Sequence, residues 1–571
     1  MTIQVEQTDR SSPCNVTDEN GDVSQYHLRN GHRKPSRLPW VVQKFGGTSI
    51  GKFPMEVFQD IVRSPRQGQF RVAVVCSARS DTRKDNGTTS RLLRAIMEAQ
   101  VPGARDFETT IAAVRDEHIK AATTVIGTKE VIDQLAEEID EEIARVLVVL
   151  RGAQQAQKFT EQTRDFAVSR GEKISCLFMT ALLRSLGEKA VCIDLIDLSS
   201  SHSQDGARPS QLGRSIYKAI TREITSRIGR DSMNGIPIIT GFFGGMPRGL
   251  LRTVGRGYSD LCAALVAVAL EAQELQIWKE VDGVFNADPR KVPTASLLAS
   301  ISPSEAAELS FYGAEVIHPS TMEHVLRASI PIQIKNVLNP GNGGTRIDPI
   351  MYGAAKQEHV TNGNVSIRTR RPRTNAAKKP PTKPVAVSVK QNMLVLNIQA
   401  RDRSCSSSSY LAKIFSAVEQ HGLKIDLISS SEMNVSLALL PSEEAIASIH
   451  MKRVNGDGSQ IIEDHELRSA LEMFDTLGAI DVLSDMAIIS LIGDGLKQMV
   501  GVSAEFFSVL AKNDINIEMI SQGASETNIS AVIEGYEADR ALIAIHRSLF
   551  KILPNMASPQ IAGGKGWYLG A

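Results

Sequence analysis

Residues 41–49 read VVQKFGGTS: an apolar run ends in a lysine, then come two glycines and two hydroxyls. A glycine pair followed by Thr48 and Ser49 lets backbone N–H groups approach an anion, and Lys44 adds a full positive charge beside it. The order is not that of the common phosphate loop, G-x-x-x-x-G-K-[ST], in which the lysine follows the glycines. No G-x-G-x-x-G fingerprint opens a helix elsewhere in the chain. Taken alone, KFGGTS reads equally well as an ordinary strand-to-helix turn.

The surrounding pattern supplies the context. WVVQKF at 40–45 is the first of a series of short apolar strands: FRVAVVCSA (70–78), AVCIDLIDL (190–198), GIPIITGFF (235–243), QIWKEVDGVFNADP (276–289) and IPIQIKNV (330–337). Between them, 131–150 carries apolar residues at 131, 132, 135, 139, 143, 146, 147 and 150, the spacing of an amphipathic helix. Strands alternating with helices predict an open, mostly parallel α/β sheet sandwiched by helices. Residues 79–160 are mainly helical and form a lobe between two candidate site segments.

The chain has 571 residues, a length that suggests roughly three or four domains. Lys+Arg and Asp+Glu both number 64, so no global field favours nucleic acid or an anionic membrane, and neither is expected as a partner. The six cysteines, Cys14, Cys76, Cys176, Cys192, Cys262 and Cys405, form no C-x-x-C pair, and the histidines show no metal-ligand spacing. Free thiols in a reducing compartment are the simplest reading, with no protein metal site. The N-terminal stretch lacks a basic start and an apolar core, and no apolar run is long enough to span a bilayer, so a cytoplasmic location is expected.

The predicted organisation is a disordered tail (1–36), an α/β catalytic domain (37–345), a basic, proline-containing linker (346–384), two modules (385–480 and 481–550) and a C-terminal tail (551–571). The modules follow from an approximate repeat. MLVLNIQA, the helix YLAKIFSAVEQHG and KIDLISSS are matched by MAIISLIG, the helix SAEFFSVLAKND and INIEMISQG. Each unit runs on into a further strand, so two small α+β modules are expected to pack together as a regulatory or dimerising region.

Two further glycine turns lie at strand ends. GFFGGMPRG (241–249) supplies Gly244 and Gly245, and GRGYSD (255–260) runs into an apolar helix. Ser259 or Asp260 can cap that helix, whose N-terminus attracts anions, and Arg256 just outside can fork onto a carboxylate or phosphate. In SRGEKIS, Ser169 and Glu172 fit a capping box, S-x-x-E, and spacing alone does not separate this from a role in holding a substrate ammonium. Asp282-Gly283 reads as a hairpin turn and Asp288-Pro289 as a loop, while Lys279 and Arg290 either reach nucleotide phosphates or lie in solvent. Three glycine turns at strand ends of one sheet favour a phosphate-bearing ligand in the crevice at the strands' carboxyl ends.

KFGGTS, GRGYSD and WKEVDGVFNADPRKVP, with FYGAEVIHP (311–319), IPIQIKNVLNP (330–340) and ISQGASETNIS (520–530), together resemble the aspartate kinases of the amino-acid kinase superfamily. The likeness spans about residues 40–549, its WKEVDG and YGAEVIHP variants look most like fungal monofunctional members, and each C-terminal module resembles an ACT domain. The resemblance implies an amino-acid kinase fold followed by paired ACT domains of ferredoxin-like type. It also implies transfer of a phosphoryl group from ATP, with Mg²⁺, to L-aspartate, giving 4-phospho-L-aspartate on the route to threonine and methionine. By the same resemblance Lys44 contacts the transferring phosphoryl group and Asp260 orients Lys44 and substrate. Gly46, Gly47, Thr48, Ser49, Gly244 and Gly245 cradle phosphates. Arg256 takes a substrate carboxylate and Glu172 its α-ammonium, with Ser77, Thr89 and Ser259 also at the substrate. Lys279, Glu280, Phe285 and Arg290 fall on the nucleotide segment, and Asp426, Ser429, Ser430 and Ser431 on the effector site.

An end-product amino acid, threonine by analogy, is the implied inhibitor, and ACT pairing between chains implies a homodimer or homotetramer. Three positions depart from the family pattern. Glu315 replaces a lysine that touches ATP in many bacterial relatives, Tyr258 replaces a more usual glycine, and SSSSYLAKIF stands where a small residue plus Phe is common. The competing readings are the same fold acting on another acceptor, such as glutamate, and a non-catalytic amino-acid sensor.

Overall fold

The computed structural model describes residues 38–63, 70–80, 87–198, 209–231, 235–246, 249–255, 257–313, 317, 319–349, 383–401, 407–441, 465–523 and 527–550. The expected tails, the linker between 349 and 383, Arg256, Glu315, Cys14 and Cys405 lie outside these residues. The chain divides into Met1–Leu38 and Pro39–Ala571, and every described residue except Leu38 belongs to the second unit.

The first sheet contains β1 (Trp40–Phe45), β2 (Arg71–Cys76), β3 (Ala190–Leu195), β4 (Ile236–Phe243), β5 (Glu274–Lys279), β6 (Ser300–Ile301), β7 (Ile332–Asn336) and β8 (Thr345–Ile347). Their order is β3-β4-β2-β1-β5-β7-β8-β6, with every pairing parallel except β7–β8. Central parallel strands are covered on both faces, which is why β4 is buried at all eight positions.

Successive side chains alternate between two cores. Val42, Ala73 and Val75 join one apolar cluster, and Phe45, Val72, Val74 and Cys76 join the other. The first cluster is closed by α6 (Pro209–Asp231), α8 (Tyr258–Ala269) and α10 (Pro319–Arg327). The second is closed by α2 (Thr88–Ala99), α3 (Asp106–Val125), α4 (Lys129–Ala156) and α5 (Glu161–Ser185). Helix α4 contains the whole of the 131–150 pattern and buries Leu135, Ile139, Ile143, Val146 and Leu150 from it. The other helical segments of this half are α1 (Gly47–Lys52), a short turn at Pro54–Glu56 continued by a π-helical stretch at Val57–Val62, α7 (Leu250–Val254) and α9 (Pro303–Phe311).

The C-terminal half is β9 (Ala386–Ala400), α11 (Ser407–Gln420), β10 (Lys424–Ser430), β11 (Asn434–Leu440), α12 (His465–Leu477), β12 (Gly478–Ile492), α13 (Val502–Lys512), β13 (Met519–Ser521), β14 (Asn528–Glu534) and α14 (Ala538–Leu549). All six strands form one sheet, ordered β10-β11-β9-β12-β14-β13. Strands β9 and β12 are fifteen residues each and pair antiparallel from Gly478–Ala400 to Ile492–Ala386. Each long strand therefore serves both repeats, and the expected division at 480/481 falls inside β12. Asn392 and Asp485 take positive φ angles of 61° and 57° where the strands pass from one repeat to the other, and the ladder shifts register there. Asn and Asp tolerate this left-handed backbone better than most residues. Helices α11 and α12 cover one end of the sheet, α13 and α14 the other. Met393, Val395, Met486, Ile488 and Val532 join the cluster that also holds Leu309 and Tyr312, so this sheet packs onto the first half.

Candidate active site

Register brings the site together. Phe45 pairs with both Cys76 and Trp278, and Cys76 pairs with Thr240, so β1, β2, β4 and β5 level out at their carboxyl ends. Strand β1 is where the order reverses, with β2 and β4 on one side and β5 and β7 on the other. That crevice is where open α/β sheets bind ligands.

Lys44, the penultimate residue of β1, places Nζ 2.6 Å from Oδ1 of Asp260 in the first turn of α8. Both side chains are about nine-tenths buried, so the pair is screened by little water. An ammonium has three donors, and Asp260 fixes its direction. The capping role read from GRGYSD is not observed. Gly257, at φ 98°, is the N-cap of α8, and no side chain caps it. Ser259 instead meets Ser77, whose Oγ donates across 2.8 Å, which ties the end of β2 to α8.

The glycine turn divides into two roles. A Cβ on Gly47 would lie 2.0 Å from the carbonyl oxygen of Ala78, because residues 77–80 pack directly over α1 and Ser80 N–H donates to the Gly47 carbonyl. Among the described residues, Gly46 has nothing within 4 Å of its Cβ position and is the open member of the pair. It caps α1 without a side chain. Thr48 follows in the same turn, and Ser49 donates through Oγ to Glu280 Oε1 at 2.7 Å, joining α1 to the residue after β5. Of the second pair, Gly244 lies against the Ile196 carbonyl, where a Cβ would approach to 2.1 Å, and Gly245 takes φ 85°. Both therefore answer to backbone geometry.

Glu172 sits in the middle of α5, not at its start. The capping-box reading of S-x-x-E is corrected by this: the helix begins at Glu161, Thr160 and Thr163 form its capping box, and Ser169 Oγ donates to the Phe166 carbonyl. Glu172 is 1% exposed, and burial pushes its carboxyl up to about 8. The Tyr258 hydroxyl, the Lys44 charge and the N–H groups of Ala78 and Phe242 pull the other way. Its Oε2 is buried without a hydrogen-bond partner among the described residues. Thr89, in the first turn of α2, contacts the Tyr258 hydroxyl.

The nucleotide-segment residues are more dispersed. Lys279 ends β5 and Glu280 follows it. Phe285 pairs with Leu297 in an antiparallel bridge and packs on the first core. The Arg290 guanidinium folds back on Asp288, with Nη2 3.1 Å from Oδ2. Next to them, Asn286 accepts from Val387 N–H of β9 at 2.9 Å and lies 3.2 Å from His546 of α14, and Lys291 pairs with Asp539 at 2.6 Å. The segment is thus fastened to the C-terminal sheet. At the expected effector site, Asp426 is held by Lys390 Nζ at 2.5 Å, and that ammonium also lies 5.1 Å from the centre of the Phe311 ring of α9. Ser429 and Ser430 are exposed on β10, and Ser431 closes the turn to β11 by accepting from Asn434 N–H at 3.2 Å.

Sequence reasoning missed three contributors. Asp165 accepts from the N–H groups of Leu250 and Leu251 and so starts α7, but lies 85 positions away in sequence. The Ser49–Glu280 link and the contacts of Tyr258 with Glu172 and Thr89 join elements equally remote in the chain. Only the departure at Tyr258 carried a local signal.

Comparison with known proteins agrees with this geometry. Residues 39–336 match the amino acid kinase family, and residues 489–549 match an ACT domain. An aspartokinase of Candida albicans is 41% identical over 552 residues, covering 95% of this chain and 96% of the relative. Among solved structures, E. coli aspartokinase III in complex with aspartate and ADP (R-state) is 27% identical with a TM-score of 0.63, covering 90% of this chain and 100% of that one. The same enzyme in complex with lysine and aspartate (T-state) is also 27% identical, with a TM-score of 0.62 over 90% of this chain and 99% of that one. The fold, the lysine-bearing turn and these likenesses converge: the chain belongs to the aspartokinase family, within the amino acid kinase superfamily.

Proposed function

We propose that the chain transfers the γ-phosphoryl group of ATP to the side-chain carboxylate of L-aspartate, forming 4-phospho-L-aspartate, the first committed chemistry toward threonine and methionine. The observation that carries this reading is the buried Lys44–Asp260 pair at the mouth of the glycine turn. A carboxylate nucleophile is already ionised at neutral pH, so no general base is required. The remaining task is positioning and charge neutralisation. Lys44, aimed by Asp260, meets the transferring group, while Gly46, Gly47, Thr48, Ser49, Gly244 and Gly245 line the phosphates. Glu172 takes the α-ammonium, with Ser77, Thr89 and Ser259 beside it and Arg256 on a carboxylate. Lys279, Glu280, Phe285 and Arg290 serve the nucleotide.

Mg²⁺ fits as an ion carried by ATP. It ordinarily binds through one or two carboxylates plus substrate phosphates, and the carboxyls of Asp260 and Glu280 stand at this mouth. When bound it supplies neutralisation of phosphate charge.

The kinase domain occupies 37–345 in this reading, the ACT pair 385–550 with β9 and β12 shared between its two repeats, and the location is cytoplasmic. Threonine is the inhibitor, acting at Asp426 and Ser429–Ser431 in a homodimer or homotetramer. The Asn286–Val387 and Lys291–Asp539 contacts support a physical route from the ACT sheet to the nucleotide segment. Steady-state rates with aspartate, ATP and Mg²⁺ test both parts. Turnover suppressed by threonine is expected. No ADP release contradicts the activity, and a rate indifferent to a large excess of threonine, with suppression by lysine instead, contradicts the effector.

A further inference from the structure

We propose that Tyr258 is a positioning residue for the amino-acid substrate: its hydroxyl, steadied by Thr89, holds the Glu172 carboxylate so that Oε2 is left for the α-ammonium. This deepens the reading of Glu172 given above and rests on it.

Tyr258 opens α8 directly after Gly257, and its ring stands edge-on to Phe242 with centroids 5.3 Å apart. Only 8% of the residue is exposed, and its hydroxyl meets two side chains from two other helices, Glu172 of α5 and Thr89 of α2. The chemistry of these groups fixes the direction of the chain. Once Glu172 ionises against a bound ammonium its carboxylate only accepts, so the phenol donates to it, and the phenol oxygen is then free to accept from the Thr89 hydroxyl.

The other carboxyl oxygen, Oε2, is buried with no hydrogen-bond partner among the described residues, an expensive state for a polar atom. The absence of a side chain at Gly241 lets these groups close in on one another: a Cβ there would stand 2.7 Å from Oε2, 2.8 Å from the Cys76 carbonyl oxygen and 2.8 Å from Cβ of Ser259, the residue bonded to Ser77. A cation at this point would satisfy the oxygen, and an amino-acid substrate brings one. The titratable and charged groups facing Glu172 are Lys44 from β1, Tyr258 and Cys262 from α8, and Cys176 from its own helix. Of these, the phenol is a neutral donor, which favours the ionised form of Glu172 without competing with an ammonium for charge.

A purely structural tyrosine would fill the space beside Phe242 and affect folding alone. Tyr258→Phe keeps the ring and removes the hydroxyl, so the two roles separate in the full-length enzyme. Loss of a hydrogen bond to a charged group predicts a KM for aspartate raised about tenfold or more. The change in kcat should be smaller, and KM for ATP should stay within twofold. The acid limb of kcat/KM for aspartate should move to higher pH. Thr89→Val should move KM for aspartate the same way by less. Glu172→Gln in the same assay isolates the underlying reading. If Glu172→Gln raises KM for aspartate and Tyr258→Phe leaves both KM and the pH limb in place, the positioning role is overturned alone. If Glu172→Gln leaves KM unchanged, both readings fall.

Discussion

Replacing Glu172 with glutamine should make the unliganded protein more stable in alkaline solution while removing its hold on aspartate. The folded protein keeps the Glu172 proton up to about pH 8, against an ordinary value of 4.5, because burial disfavours the charged form. Between those two values the unfolded chain releases the proton and the folded one retains it, so stability falls as pH rises through the window. The interval from 4.5 to about 8, at about 1.4 kcal/mol per pH unit, amounts to about 5 kcal/mol in full by pH 9. Glutamine mimics the neutral acid and escapes this cost. With unfolding entropy of roughly 2 cal/mol/K per residue over a domain of some 300 residues, the gain is about 8 °C in Tm. Thermal melts of both proteins from pH 4.5 to 9 read the difference. Coincidence at the acid end and divergence toward pH 9 is expected, with aspartate raising Tm of the parent protein alone. Curves that stay parallel across the whole range would refute the reasoning.

The two glycines of the turn should respond differently to alanine. Gly47→Ala must displace the Ala78 carbonyl and should lower Tm by several degrees, whereas Gly46→Ala should leave Tm in place and raise KM for ATP; equal loss of Tm in both would count against the division of roles. Lys44→Ala should reduce kcat by about a hundredfold or more, the usual scale for removing a group that stabilises transition-state charge. Circular dichroism would verify that the fold survives, and a near-normal kcat would exclude Lys44 from the chemistry. Lys390→Met strips the buried Asp426 of its partner, so an effector ammonium should bind there more readily and half-maximal threonine should fall several-fold. An unchanged threonine curve would remove Asp426 from the effector site.

The sheet and its crevice were legible because buried parallel strands leave dense apolar runs that end in glycine turns. WVVQKF, VAVVC and IPIITGFF each became the expected strand, and α4 followed its periodicity beyond both predicted ends. Roles that depend on contacts between distant segments were not legible. S-x-x-E at 169–172 imitates a helix start, yet those residues lie mid-helix because the helix is set by Thr160 and continues through Gly171, where a Cβ would strike Leu92 and Thr88. Ser259 and Asp260 imitate caps, but Ser77 and Lys44, brought alongside by strand register, claim their side chains. The two C-terminal repeats read as separate units. No local signal announced that β9 and β12 run on from one to the other, since each half of each strand is a plausible strand by itself.

The central claim is phosphorylation of the aspartate side chain. Incubating the protein with ATP, Mg²⁺ and hydroxylamine, with aspartate and glutamate in parallel, traps any acyl phosphate as a hydroxamate. The geometry predicts hydroxamate from aspartate, matched by ADP release. Hydroxamate from glutamate alone, or none from either amino acid, would contradict it.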